Sequence, residues 1–170
     1  MSHVDTPWTQ LAARTARGLL ARKGASYQDV CDLMRASGIA ESVRGVEGKI
    51  SRGTYRASFF LRLLISLQAE YPEHWRPILA VKGSDEMHAK HIFLRELSAK
   101  NLDTGLLAKK LAMAGVNITR ESLDEQIAVG DFQFVLLLQL ASVDRICGFE
   151  RFVDDSDLAQ ATLLSQSPAA

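Results

Sequence analysis

Apolar residues recur along the chain at the three- and four-residue spacing that is typical of amphipathic helices. A first helix is predicted to begin at Pro7 and end at Gly24, and a second is predicted to begin at the capping residue Ser26. A third helix is expected between Ser42 and Gly53. The next segment, "SFFLRLLISL", is apolar around most of its circumference and is therefore expected to form a buried fourth helix. No segment alternates like a strand, so the sequence predicts an all-α fold.

This pattern occurs twice, at one constant offset along the chain and without a gap. Ile50 aligns with Ile127 and Gly53 with Gly130, and the predicted caps Ser26 and Ser42 align with Asp103 and Thr119. Two tandem four-helix units in one compact body are the simplest interpretation. The predicted division is a first repeat over 8–72, a linker over 73–84, a second repeat over 85–147, and a C-terminal helix and tail over 148–170. The helix is expected at "DLAQATLL", and the end "SQSPAA" is expected to fray.

Composition places the chain among ordinary globular proteins, since 47% of its residues are hydrophobic, 24% are charged and its net charge is zero. Its longest apolar stretch, "FVLLLQLASV", is much shorter than the roughly 20 residues that cross a bilayer, and its start lacks a signal-peptide core. We therefore expect a cytoplasmic protein without a membrane partner. Cys31 and Cys147 stand apart from other cysteines and histidines, which argues against a disulfide framework or a zinc site.

Positive charge is concentrated in the first repeat. Residues 8–82 contain 12 lysines and arginines against 6 acidic residues, whereas residues 83–154 contain 8 against 11. The contrast is strongest around the third helix, where four cations of the first repeat align with residues that carry no positive charge. These pairs are Arg44 with Glu121, Lys49 with Gln126, Arg52 with Val129, and Arg56 with Gln133. The fold does not require the cations, so they are expected to serve a surface function or to form a solvated face that complements the helix dipole.

Two resemblances follow from these residues. Trp8, "GASY" and "KISRGTYRASFF" resemble an uncharacterised bacterial domain family over about residues 8–70, with a degenerate second copy at 85–147. The helix order also resembles the phage-repressor-like helix-turn-helix superfamily, with "SYQDVCDLM" as supporting helix and "VRGVEGKISRG" as recognition helix. The segment "RASGIAESVRG" is longer than the tight turn of that motif. The second resemblance implies that each unit is helix-turn-helix-like, and that the first, which carries the basic third helix, binds DNA.

Catalytic chemistry has little support in the sequence. His88 and His91 lie near Asp85 and Glu86, but no third metal ligand has a clear spacing. We assign no catalytic residue, metal or cofactor and expect a protein that is not an enzyme. The large aromatic residues are expected to pack in the core rather than to stack on bases; they are Trp8, Phe59, Phe60 and Trp75.

The sequence therefore predicts a bacterial DNA-binding regulator of transcription, with double-stranded DNA as its partner. Its candidate contacts are Arg44, Lys49, Ser51, Arg52 and Arg56. We expect a homodimer formed by the second repeat or by the segment after Phe149. The alternative is an adaptor or inhibitor that binds an acidic protein partner through the same basic face.

Overall fold

The computed structural model describes residues 5–166, and these residues form α-helices, short 3-10 helices and connecting segments. The all-α prediction is therefore confirmed. The α-helices are α1 (Pro7–Lys23), α2 (Tyr27–Ala36), α3 (Val43–Arg52), α4 (Ala57–Ser66), α5 (Arg76–Leu79), α6 (Asp85–Ala99), α7 (Thr104–Met113), α8 (Arg120–Val129), α9 (Phe134–Val143) and α10 (Asp155–Gln166). Residues 167–170, the end of the tail predicted to fray, lie outside the described part. Within residues 5–166, none of these helices combines the length and apolar content needed to cross a membrane.

The internal repeat is confirmed by the helix boundaries. In the register that aligns Ile50 with Ile127, helices α2, α3 and α4 begin and end at the positions equivalent to those of α7, α8 and α9. The predicted caps explain this agreement, because the side chains of Ser26, Ser42, Asp103 and Thr119 each accept a hydrogen bond from a backbone N–H in the first turn of their helix. Matching local signals in the two repeats therefore produce identical helix lengths.

Gly53 and Gly130 end the third helix of each repeat in the left-handed conformation, with φ angles of 67° and 69°. Both also lie against the first turn of a neighbouring helix. A Cβ atom at Gly53 would lie 1.8 Å from the carbonyl oxygen of Thr9, and one at Gly130 would lie 2.0 Å from that of Glu86. Thr9 and Glu86 are themselves equivalent positions, so the repeat preserves this close approach as well as the helices.

The two repeats are joined by a reciprocal pair of backbone hydrogen bonds. The N–H of Ala57 donates to the carbonyl of Phe132 at 2.9 Å, and the N–H of Phe134 donates to the carbonyl of Tyr55 at 3.0 Å. Exchanging the repeats converts one bond into the other, because each donor and each acceptor is replaced by its equivalent. A pseudo-twofold axis therefore passes through the antiparallel bridge between Arg56 and Gln133.

Helix packing follows the same pseudo-symmetry. Helix α1 packs on α3 of its own repeat and on α9 of the other, and α6 packs correspondingly on α8 and α4. Helices α4 and α9 meet at the centre, where the rings of Phe60 and Phe134 lie 4.1 Å apart between centroids. Trp8, Phe60 and Trp75 are buried in this core and Phe59 is half-buried, as predicted for the aromatic residues. One continuous core thus spans both repeats.

The segment between the repeats folds onto the second repeat. Residues Glu73–Trp75 form a 3-10 helix, followed by α5, and the buried indole of Trp75 donates a 2.9 Å hydrogen bond to Oε1 of Glu96 on α6. A 3-10 helix at Phe149–Arg151 precedes α10 in a similar way, and α10 packs on α1 and α9 of its own chain. Trp75 and its counterpart Phe152 face each other with ring centroids 6.0 Å apart.

Candidate functional site

The exposed face of α3 carries three of the five predicted contact residues. Val46 and Ile50 are fully buried against the core, which directs Arg44, Ser51 and Arg52 outward. Residues separated by seven or eight positions lie on the same side of a helix, so these three side chains form one stripe. Neither Arg44 nor Arg52 forms an ion pair with any residue that the structure describes. Both guanidinium groups are therefore available to a ligand.

A further cation, Arg17, extends this stripe onto α1. Its Nη2 atom donates a 3.2 Å hydrogen bond to Oγ of Ser51. Helices α1 and α3 pack side by side, and the outward residues of one therefore adjoin those of the other. We call Arg17, Arg44, Ser51 and Arg52 the basic face. The sequence reasoning missed Arg17 because its nearness to α3 depends on tertiary packing, although its exposed position on α1 is visible in the periodicity.

Lys49 lies to one side of the basic face and is already paired. Its Nζ atom forms an ion pair with Oε1 of Glu41 and lies 5.3 Å from the ring centroid of Phe59. The Lys49 side chain is 39% exposed and the Glu41 side chain 17%. Most of its charge is thus compensated within the first repeat, and the half-buried position favours a local structural contribution.

Arg56 is also paired, and its partner belongs to the second repeat. The Arg56 Nε atom lies 3.1 Å from Oδ1 of Asp131, beside the bridge to Gln133 on the pseudo-twofold axis. Both side chains are about half exposed, and such a pair contributes little to stability because water screens it. The structure therefore separates the four predicted cations into two that are free and two that are matched by carboxylates.

The corresponding face of the second repeat has a different chemical character. The positions of Arg17, Arg44, Ser51 and Arg52 are taken there by Leu94, Glu121, Ala128 and Val129. Leu94 is 42% exposed and Val129 is 66% exposed. The two equivalent faces thus have the same helical frame, but one is basic and the other is apolar and acidic.

Burial and helix capping shift the pKa of three side chains in the first repeat. Burial raises the pKa of the Tyr55 hydroxyl well above its usual value, and this hydroxyl donates a 2.6 Å hydrogen bond to the carbonyl of Ala12. Burial also raises the pKa of the Cys31 thiol, which disfavours the nucleophilic thiolate. Hydrogen bonds from Ser26 lower the pKa of Asp29, which stabilises α2 at its start. These shifts reflect packing and capping.

The histidines considered as metal ligands have separate environments. His88 is buried and its Nε2 atom lies 2.7 Å from the carbonyl oxygen of Val81, so this nitrogen donates a hydrogen bond. His91 is exposed on the same helix. Among the described residues, no group of three histidine, cysteine or acidic side chains is arranged to hold a metal ion.

Comparison with known families identifies the repeated unit. A family model described as "Domain of unknown function (DUF6471)" matches residues 8–71 and again residues 86–145. The two matched segments coincide closely with the two structural repeats and cover more than half of the chain. No curated protein and no solved structure matches the chain.

Proposed function

The chain belongs to the DUF6471 family, and we propose from its basic face that it is a DNA-binding regulator of transcription. Its contact with double-stranded DNA is made by the basic face of the first repeat. The second repeat supplies the other half of the core and presents no equivalent basic surface. Two copies of one domain thus have different functions within a single chain.

The observation that carries this proposal is that α3 has two exposed arginines without an ion-pair partner among the described residues. Arg44 and Arg52 have no carboxylate partner among the described residues, and Arg17 adds a third guanidinium next to them. Guanidinium groups bind phosphate oxygens through forked hydrogen bonds, and each neutralised phosphate releases counterions from DNA. Gly48 lets the guanidinium of Arg52 lie close to the helix, since a Cβ atom there would be 2.9 Å from Nη1 of Arg52.

The individual contacts can be assigned distinct roles from their positions. Arg52 lies at the last turn of α3 and Arg17 lies on α1, so both are suited to the phosphate backbone. Arg44 lies near the start of α3, and together with Ser51 it is the better candidate for reading base edges. Lys49 and Arg56 stay in the proposal as secondary contacts that would first have to leave Glu41 and Asp131.

The helix arrangement is compatible with a helix-turn-helix mode of binding. Helix α2 packs on α3 and on the buried α4, in the helix order of the phage-repressor-like domains that the sequence resembles. The connection from Ser37 to Ser42 is longer than the usual turn of that motif. We therefore propose that α3 is the recognition helix and that the longer connection gives it a different orientation relative to α2 from that in the usual motif.

A homodimer remains part of the proposal. The internal pseudo-twofold axis relates one basic face to one non-basic face, so a single chain offers only one DNA-binding head. Two chains would supply two heads for a symmetric site, which is the usual arrangement for regulators of this kind. Light scattering measures this directly, and a mass near 18.7 kDa, that of one chain, at micromolar concentration would contradict the homodimer.

The test of the function is to incubate the pure protein with sheared genomic DNA and to sequence the fragments it retains. We expect enrichment of particular sequences and binding that weakens as salt rises. The variant Arg44→Gln/Arg52→Gln should lose retention. The matched control Lys109→Gln/Lys110→Gln removes two exposed lysines from α7 and should keep it. Equal retention by both variants would reject the basic face as the DNA contact.

An acidic protein partner is the second candidate, and one observation favours it. Val43 is exposed beside Arg44, and Glu47 lies on the same exposed side of α3. An exposed apolar side chain beside an arginine suits a protein interface, which has an apolar core and is enriched in arginine, better than it suits a phosphate backbone. If no duplex binds at low salt, but an acidic protein is retained by the wild type and lost by Arg44→Gln/Arg52→Gln, this second function would replace the first.

A further inference from the structure

The side of the second repeat that is equivalent to the basic face is formed by α6 and α8, which pack together. It exposes two apolar residues, Leu94 and Val129, and two glutamates, Glu121 and Glu125, that lie about one helical turn apart on α8. We call these four residues the second-repeat face. The charges beside the apolar residues indicate which kind of partner would cover them.

The glutamates of the second-repeat face are free to pair with another molecule. Neither Glu121 nor Glu125 forms an ion pair with any residue that the structure describes. The neighbouring Arg120 is already paired, since its Nε atom lies 3.7 Å from Oδ2 of Asp124. Arg95 of α6 lines a separate cleft, to which the second-repeat face does not contribute. The free charges of this face are therefore both negative.

The basic face offers the opposite charge on the same helical frame. Its three arginines have no carboxylate partner among the described residues; they are Arg17, Arg44 and Arg52. They outnumber Glu47, the acidic residue on the exposed side of α3, and Val43 adds an exposed apolar group beside them. Each chain thus carries two faces of opposite charge, and these charges do not meet within one chain.

The charges of the two faces also match in spacing. Arg44 and Arg52 lie about two turns apart on α3, so they span the length that the two glutamates occupy on α8. An antiparallel pair of helices from two copies can place Arg52 opposite Glu121. Arg44 then lies opposite Val129, within about one turn of Glu125. Arginine side chains are long enough to reach both glutamates, and their aliphatic stems can cover Val129.

Like faces of two copies lack this complementarity. Two basic faces would bring arginines together, and two second-repeat faces would bring glutamates together, and like charges across an interface weaken association. When unlike faces meet, the free charges of each face lie near charges of the opposite sign. Charge complementarity therefore selects the basic face of another copy as the partner.

We propose that the second-repeat face of one chain docks on the basic face of a second copy, so that the chains associate head to tail in the absence of DNA. Such a contact joins two different patches and leaves one face of each kind free at its ends, so the assembly grows with concentration. The contact covers Arg44 and Arg52, and self-association and DNA binding therefore exclude one another. This regulatory consequence rests on the proposed function, whereas the association itself does not.

Sedimentation velocity of the full chain, without DNA, tests the association. We expect the mean mass to rise with protein concentration at low salt. It should fall when the salt is raised to about 1 M, where charges interact over only about 3 Å. A mean mass that is the same at low and high salt, as for single chains or for a symmetric homodimer held by apolar residues, would overturn the proposal.

Substitution of the glutamates tests which surface is responsible. Glu121→Gln/Glu125→Gln removes both negative charges with little change of shape, and we expect it to weaken the association about tenfold. Glu70→Gln/Glu73→Gln is the matched control, since it removes two exposed glutamates from the segment between the repeats, and it should associate like the wild type. Equal association of the two variants would overturn the proposal.

Exchange of charge then tests whether the two faces touch each other. Arg44→Glu/Arg52→Glu and Glu121→Arg/Glu125→Arg should each lose self-association, because both faces of either variant then carry like charge. An equimolar mixture of the two variants should recover it, because unlike faces are available again. A mixture that stayed dissociated at low salt would also overturn the proposal.

A DNA titration separates this proposal from the proposed function. If the basic face binds DNA, Glu121→Gln/Glu125→Gln should bind a duplex more tightly than Glu70→Gln/Glu73→Gln at protein concentrations where the wild type associates. The reason is that its basic face is no longer covered by a second copy. Equal affinities would overturn the mutual exclusion, whereas a complete absence of DNA binding would contradict the proposed function alone, since the sedimentation result involves no DNA.

Discussion

In the first repeat the exposed side of α3 carries Arg44 and Arg52, whereas the same side of α8 carries Glu121 and Val129. The helices, their caps and their terminal glycines are nevertheless the same. The cleft before the fourth helix also differs between the repeats. In the first repeat, ion pairs line it and its volume is about 200 Å³, whereas in the second repeat glutamine side chains line it and its volume is about 540 Å³. Features that both repeats share, such as the caps and the terminal glycines, are the ones that the common fold requires. Features found in one repeat only, such as the arginines of α3, are not required for the fold.

The two repeats present different surfaces on the common frame. Positive charge lies on the outer face of the first repeat, and the larger open space lies in the cleft of the second. Arg56 lies where these regions meet, since it borders both clefts and pairs across the pseudo-twofold axis with Asp131.

The largest effect is expected at the glycines that both repeats share. Gly53→Ala places a Cβ atom 1.8 Å from a carbonyl oxygen, and Gly130→Ala places one at 2.0 Å, so the backbone must move in either case. We expect each variant to lose about 4 kcal/mol of unfolding free energy, near the upper end for single substitutions. Denaturant unfolding measures the loss.

Gly24→Ala is the control for these variants. Its φ of +59° is also left-handed, but open space surrounds it, so the loss should be about 1 kcal/mol. Its counterpart Asn101 already adopts φ of 52° without being glycine. If Gly53→Ala and Gly130→Ala differed widely in effect, the two repeats would not share one frame.

Much of this frame could be predicted from the sequence because its signals are local. Ser26, Ser42, Asp103 and Thr119 were recognised as caps, and each accepts a backbone hydrogen bond from close by along the chain. A cap depends only on its own turn of helix, so residue type and position suffice. The repeat added an independent check, since a false signal would rarely recur at the equivalent position.

The partners of the cations in the candidate site could not be predicted in the same way. The bond between Arg56 and Asp131 joins residues far apart in sequence, and Arg17 reaches Ser51 across two helices. Which carboxylate or hydroxyl a cation meets depends on helix packing, which periodicity does not specify. The sequence therefore identified the cations of α3 but not which of them remain free.

The second largest effect is expected at a buried charge that distinguishes the repeats. Glu96 is 2% exposed and accepts hydrogen bonds from Trp75 and from Lys100, whereas Leu19 occupies the equivalent position in the first repeat. Glu96→Gln leaves the largely buried ammonium of Lys100 without its counter-charge. We expect a loss of about 3 kcal/mol, measured by denaturant unfolding.

The double variant Glu96→Gln/Lys100→Met removes both charges and should regain part of this stability. Lys100 would lose its hydrogen bond to the carbonyl of Arg145 at 2.8 Å, so the recovery should be incomplete. A double-mutant cycle isolates the pair energy. Strict additivity of the two single changes would show that the ion pair does not stabilise the second repeat.

A third effect is expected when the two outer faces are exchanged. Arg44→Glu/Arg52→Val gives the first repeat the residues of the second, and we expect it to abolish measurable DNA binding. In the wild type, the logarithm of affinity should fall against that of salt with a slope of about −1.8, from about 0.9 for each of the two arginines proposed to bind phosphates, Arg17 and Arg52. Filter binding across a salt series provides both values.

The reciprocal exchange Glu121→Arg/Val129→Arg places the arginines on α8, where the side chains are exposed. We expect this variant to bind DNA more tightly than the wild type at low salt, because it carries a second basic face. Both exchanges should leave thermal stability nearly unchanged, since the positions lie outside the core. A large loss of stability in Arg44→Glu/Arg52→Val would mean that these arginines are structural.

The smallest effect is expected at the start of α2, where the capping differs between the repeats. The backbone N–H of Ser26 donates to Oδ2 of Asp29 at 2.8 Å, whereas Leu106 occupies the equivalent position in α7.

This hydrogen bond, together with one from the side chain of Ser26, lowers the pKa of Asp29 below its ordinary value of 3.8. The ionised carboxylate therefore stabilises the folded state at pH values above that ordinary value. Its contribution is lost as the pH falls through the lowered folded-state pKa, because the protonated group is a weaker acceptor. Asp29→Leu should accordingly be less stable than the wild type at neutral pH, and the difference should shrink as the pH falls below the ordinary value of 3.8. Unfolding by denaturant at a series of pH values measures it, and a difference that stayed constant over this range would show that the carboxylate charge does not contribute to the cap.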